Sequence, residues 1–77
     1  MMNSAQCRAA RALLNWSQQE LADASKIGNA TIRNFEAGRS EPHHATLDVL
    51  RRTFEDAGVV FIDANGNGAG VRLKAKP

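Results

Sequence analysis

The sequence predicts a mainly α-helical fold, four helices followed by a C-terminal β-hairpin. Three observations carry that expectation. Apolar residues recur at spacings of three and four over much of residues 3–57. Ser17, Gln18, Gln19 and Glu20 form a capping-box pattern that marks a helix start inside the chain. After Gly58 the texture changes to Val59, Val60, Phe61 and Ile62, a run of high strand propensity.

The bulk properties set the frame. With 77 residues the chain holds one small domain, and so much of its surface stays wet that a partner subunit would help it. Its 43% hydrophobic and 23% charged residues exclude global disorder. A net charge of +2 permits nucleic-acid binding without demonstrating it, so the placement of the basic side chains decides. The single cysteine, Cys7, has no internal disulfide partner and reads as a small core residue in a reducing compartment. No apolar run approaches the ~20 residues a bilayer span needs, and no signal-peptide core is present, which together read as cytoplasmic.

The first helix is capped by Asn3 or Ser4 and runs to about Asn15, with Cys7, Ala10, Leu13 and Leu14 as its apolar stripe. In the capping box, Ser17 accepts from the amide of Glu20, and Glu20 reaches back to the amide of Ser17. Trp16 and Leu21 stand where a hydrophobic staple would close over that end. The second helix spans about Gln18 to Ser25. Lys26, Ile27 and Gly28 break the pattern, and a third helix follows from Asn29 to Ala37, with Gly38 at its left-handed C-terminal position. Two helices of about eight residues joined by about three match a helix-turn-helix. Arg39 to Pro42 is a loop. A fourth helix spans about His43 to Ala57, with Leu47, Leu50 and Phe54 on one face. Val59 to Ile62 and Val71 to Leu73 pair as a hairpin joined by Asp63 to Gly70, ahead of a basic tail from Lys74 to Pro77.

A helical wheel at about 100° per residue divides the third helix. Ile32, Phe35 and Thr31 fall together, with Glu36 at their edge. Ala30, Arg33, Asn34 and Ala37 fall opposite, and Asn29 begins the helix. Small residues let this face approach base edges closely, while Asn and Arg offer bidentate groups toward adenine and guanine. The same pattern also describes a solvent-facing polar flank, so the neighbours matter. Gln18 stands at the start of the second helix, where free amides and the helix dipole favour a phosphate. Arg39 and Ser40, in the loop after the third helix, suit backbone oxygens.

The motifs Ser17-Gln18-x-Glu20-Leu21-Ala22 and Ile32-x-x-Phe35-Glu36-x-Gly38, at this separation, resemble the Cro/repressor-type helix-turn-helix family, also called the XRE family. The similarity covers about Gln6 to Gly58, and Val59 to Leu73 looks like a C-terminal extension found in a bacterial branch. The resemblance implies a four-helix lambda-repressor-like domain, residues 1–58, with residues 59–77 as hairpin, tail and candidate dimerisation element. It implies base-facing roles for Asn29, Ala30, Arg33 and Asn34, and phosphate contact by Gln18. Arg11 and Glu36 match a pair that in this family forms a partly buried ion pair, so they are assigned to structure and not to DNA. Two positions depart from the pattern. Lys26 stands where the family places a turn glycine, and Gly28 stands where Ser or Thr caps the next helix. Ala30 also offers a base no side-chain hydrogen bond.

Other signals have simpler explanations. Asp63-x-Asn65-x-Asn67-Gly68 imitates half a calcium loop, but Lys74 takes the place of the closing Glu, and these residues are good turn formers. His43 and His44 are adjacent on a helix start and point apart, so no zinc site is expected. No cofactor, catalytic set or membrane contact is expected. The hairpin either caps the open end of the helical core, with Val59 and Phe61 inward, or pairs its free edge with a second copy. The expected function is a small repressor acting as a homodimer on an inverted-repeat operator in double-stranded DNA, in a bacterial or phage setting. An antitoxin that holds a toxin partner, and an adaptor that keeps only the fold, are the alternatives.

Overall fold

The computed structural model describes residues 2–75. Along the chain lie α1 (Ser4–Leu14), α2 (Gln18–Ser25), α3 (Asn29–Glu36), α4 (His44–Asp56), β1 (Val59–Ile62) and β2 (Gly70–Leu73). Met1 and the last two residues of the basic tail, Lys76 and Pro77, lie outside the described residues.

Caps explain most of the boundaries. Asn3 Oδ1 accepts from the Gln6 amide at 2.8 Å, and Gln6 Oε1 accepts from the Asn3 amide at 3.0 Å, a reciprocal box at the start of α1. Asn15 closes that helix in the left-handed region at φ 58. Ser17 and Glu20 form the second box, both bonds at 3.0 Å. α2 ends on Lys26, which itself takes the left-handed conformation at φ 64 and donates its amide to the Ala22 carbonyl at 2.9 Å. The turn is thus made with the geometry a glycine would adopt, by a residue that carries a Cβ. Gly28 opens α3 with no side-chain cap.

α3 closes with two nested bonds: Gly38 N–H to Phe35 O at 3.0 Å and Arg39 N–H to Asn34 O at 2.9 Å, with Gly38 at φ 76. The expected helix 29–37 is one residue too long, because Ala37 is already the cap. α4 is likewise trimmed to His44–Asp56, His43 serving as its cap without a side-chain bond.

The core gathers Met2, Cys7, Ala10, Leu21, Ala22, Ile32, Phe35, Leu47, Leu50, Phe54, Val59 and Phe61. Phe54 sits at its centre. The Trp16 ring stacks on it with centroids 6.0 Å apart, and the Phe61 ring tilts against it at the same distance. Each such aromatic pair contributes about 0.5–1.5 kcal/mol beyond its buried area.

β1 and β2 pair antiparallel, Val59 opposite Leu73 and Ile62 opposite Gly70, so the second strand begins one residue before the expected Val71. Lys74 extends the pairing by donating its amide to Gly58 O at 2.8 Å. The hairpin packs on α1 and α4, and Val59 and Phe61 join the helical core. Gln6 locks it there. This buried side chain, while accepting from Asn3, donates Nε2 to the carbonyls of Ile62 at 3.3 Å and Gly70 at 3.1 Å.

Two side chains lie elsewhere than the wheels place them. Leu13, expected in the α1 stripe, is 38% exposed. By the helical step it shares a flank with Gln6. The hairpin covers that flank at Gln6 but nothing among the described residues covers it at Leu13. Thr31, grouped with Ile32 and Phe35, is exposed, because α1 and α2 pack on the Ile32–Phe35–Glu36 side of α3 and leave the Thr31 flank in water.

Candidate nucleic-acid interface

The interface is built from the inside outward, and its fixed point is Glu36. Its carboxylate is buried among four donors: Arg11 Nε and Nη2, each at 2.7 Å, Gln18 Nε2 at 3.1 Å and Cys7 Sγ at 3.2 Å. Arg11 also donates to the Trp16 carbonyl at 2.9 Å, and Arg8 donates to the Glu36 backbone carbonyl. One carboxylate therefore ties α1, the start of α2 and the end of α3 together. Burial alone pushes the Glu36 carboxyl up. The hydrogen bonds from Arg11, Gln18 and Cys7 outweigh it and hold the carboxyl below its usual range. Arg11 is raised in turn by its bond to Glu36. The Cys7 thiol is driven far above its ordinary value by burial first and by the Glu36 contact second.

With Ile32, Phe35 and Glu36 facing inward, α3 turns Ala30, Thr31 and Arg33 outward and leaves Asn29 and Asn34 half-buried. Asn29, Ala30, Arg33 and Asn34 thus share one helix across eight residues, with a 2.7 Å ion pair on its inner side. Gln18 is half-buried at the first position of α2, where one of its Nε2 hydrogens is taken by Glu36. Arg39 and Ser40 are exposed in the loop just beyond α3.

Sequence reasoning missed a further element. Arg33 Nη1 donates to Asn29 Oδ1 at 3.0 Å, Asn29 Nδ2 donates to Gln19 Oε1 at 3.2 Å, and Gln19 Nε2 donates to Asp23 Oδ1 at 2.9 Å. This chain of side chains, exposed except for the half-buried Asn29, runs from α2 across the turn onto α3. The Asn29–Arg33 spacing of four was visible as a helix-face pair. The Gln19–Asn29 link spans the turn and left no periodic mark. Elsewhere, the 63–69 loop is exposed, with Gly66 and Gly68 at positive φ, and Asp63 lies 3.7 Å from Arg51. Among the described residues no group of His, Cys, Asp and Glu is placed to hold a metal ion, and no helix is long and apolar enough to cross a membrane.

Two short helices joined by a three-residue turn, the second anchored by its inner face and polar on its outer face, define a helix-turn-helix DNA-binding unit. A helix-turn-helix family model matches residues 8–55, most of the chain, and the protein belongs to the Cro/XRE-type helix-turn-helix family. It is a DNA-binding regulator of that type. Comparison with curated proteins gives no match.

Proposed function

We propose that this protein is a transcriptional repressor that reads a specific sequence in double-stranded DNA, with α3 in the major groove. The observation that carries this reading is the outer face of α3. Asn29, Ala30, Arg33 and Asn34 combine small size with amide and guanidinium groups, on a helix whose inner face is tied down by Glu36. Asn and Arg are the side chains that pair bidentately with adenine and guanine. Gln18 keeps a second Nε2 hydrogen for a phosphate, and Arg39 and Ser40 stand at the other end of α3 for the same backbone role.

The protein acts as a homodimer through its C-terminal strands, and residues 1–58 and 59–77 divide the labour between DNA and partner. Support comes from a two-stranded sheet to which no further strand is paired among the described residues, and from exposed apolar Ile62 and Leu73 on it. A two-fold dimer reads half-sites about one helical turn apart in an inverted repeat.

The test is selection of binding sites from random duplex DNA by the purified full chain at fixed salt. Recovery of an inverted repeat supports the repressor and its dimer together. A lone half-site removes the dimer, and absence of enrichment by folded protein overturns DNA reading in favour of a toxin partner or an adaptor role.

A further inference from the structure

The chain Asp23–Gln19–Asn29–Arg33 has a direction. Gln19 and Asn29 are amides, each able to donate at one end and accept at the other, and each able to turn over. Their neighbours are not ambivalent. The Asp23 carboxylate only accepts, and the Arg33 guanidinium only donates. With Gln19 Nε2 on Asp23 and Asn29 Oδ1 on Arg33, every contact pairs a donor with an acceptor, at 2.9, 3.2 and 3.0 Å. Turning either amide alone sets two donors or two acceptors against each other at both its ends. Turning both mismatches Asp23 and Arg33 at once.

From this geometry we infer that Asp23, on α2 and outside the reading helix, is a positioning residue for base specificity. Acting through Gln19, and together with Arg33 at the other end, it fixes which way round the Asn29 amide stands toward the groove. One Nδ2 hydrogen and one Oδ1 lone pair of Asn29 stay free, the pair that adenine N7 and N6 take. Arg33 has given one of its five N–H groups and keeps enough for the N7 and O6 of guanine. Held in one sense, Asn29 selects adenine. Without Asp23, turning both amides mismatches the Arg33 contact alone, so the opposite arrangement of donor and acceptor becomes easier to reach and selectivity at that base falls. This inference rests on the DNA-reading function proposed above.

The test compares the full chain with Asp23→Ala, Gln19→Met and Asp23→Glu, all at exposed positions and each checked for folding by its melting curve. The probes are the duplex selected by the wild-type chain and single-base substitutions of it, bound in competition at fixed salt. Asp23→Ala and Gln19→Met should each lower the preference for adenine at one position by about tenfold, within the range one bidentate contact supplies. Asp23→Glu, which restores an acceptor-only group, should keep it. Loss of the Asp23 charge will also tighten binding to every duplex alike, so the ratio between duplexes is the readout. An unchanged ratio in both variants, or a loss equal across all duplexes, overturns the inference. Failure of the DNA-reading function is distinct, because the wild-type chain would then select no sequence before any variant is compared, and the inference would fall with it.

Discussion

Replacing Arg11 with Met keeps most of the side chain's bulk and removes its charge and donors. In the native fold the Glu36 side chain is 3% exposed and that of Arg11 is 20% exposed. Glu36 would then face Gln18 and Cys7 alone, with a full negative charge out of water. Breaking a fully buried pair costs about 3–5 kcal/mol. Because a fifth of Arg11 is wet, the lower end applies, and the expected loss is about 3 kcal/mol. A domain of this length has about 4–12 kcal/mol in all, so the variant should fold but melt roughly 12–24 °C lower.

The assay is thermal and urea unfolding followed by circular dichroism at pH 7, on Arg11→Met, Glu36→Leu and the double variant. The double variant should recover much of the loss, since it leaves no stranded charge. The pH dependence carries a sign. In the wild type the folded Glu36 carboxyl is lowered, so its contribution is present above the unfolded value of about 4.3 and is lost as pH falls below it. In Arg11→Met burial is no longer outweighed, the folded carboxyl rises, and its contribution is present at low pH and lost as pH rises. The gap between the two proteins should therefore narrow from pH 7 to pH 4. A loss under about 1 kcal/mol, a double variant no better than Arg11→Met, or a gap that widens in acid would refute the reasoning.

Five further variants have expected outcomes. The raised Cys7 thiol stays protonated in the fold, so stability is intact below about pH 8.5 and falls above it by up to about 1.4 kcal/mol per pH unit; Cys7→Ala should lack this alkaline loss, which is easily seen in a chain without tyrosine. Lys26→Gly relieves a left-handed residue and should add roughly 0.5–1 kcal/mol to urea stability, while Gly28→Ser supplies the missing cap and adds a few tenths more, by ~0.3. Gln6→Leu leaves the Ile62 and Gly70 carbonyls and the Asn3 amide without their partner and should cost about 2–3 kcal/mol, with amide exchange rising first in the hairpin. Arg33→Ala should weaken binding to a selected site by about 1–3 kcal/mol and relax one base position, whereas equal weakening on all sequences would assign Arg33 to phosphate.

The parts of this fold that were legible in the sequence are those whose cause is local. The Ser17–Glu20 box set both the start and the register of α2, Gly38 marked the end of α3, and the β-branched and aromatic run after Gly58 marked the first strand. Features whose cause is distant were not legible. Asn3 and Gln6 carry a capping pattern, yet the burial of Gln6 depends on carbonyls at Ile62 and Gly70. Met2 is buried in the core, and nothing local in the sequence marks it. Leu13 and Thr31 sit on helix flanks whose exposure depends on how far a neighbouring element reaches. The outer face of α3 could be read from a wheel, but the link from Gln19 to Asn29 needed the crossing of two helices in space.

The grip of Gln6 on the hairpin has a consequence for how the chain is made. Its carbonyl partners lie 56 and 64 residues further along. During synthesis α1 emerges first, with its capping box formed and a buried amide that has nothing to hold. Its bonds to Glu36 of α3 can form earlier, but Gln6 meets both of its strand partners only after Gly70 has left the ribosome, seconds later at about 5–20 residues per second. Until then the Gln6 flank of α1 stays open to solvent and to chaperones. Quality control in the cell therefore has a defined interval in which to act, and a premature stop anywhere before Gly70 leaves a polypeptide that cannot complete its first helix's packing.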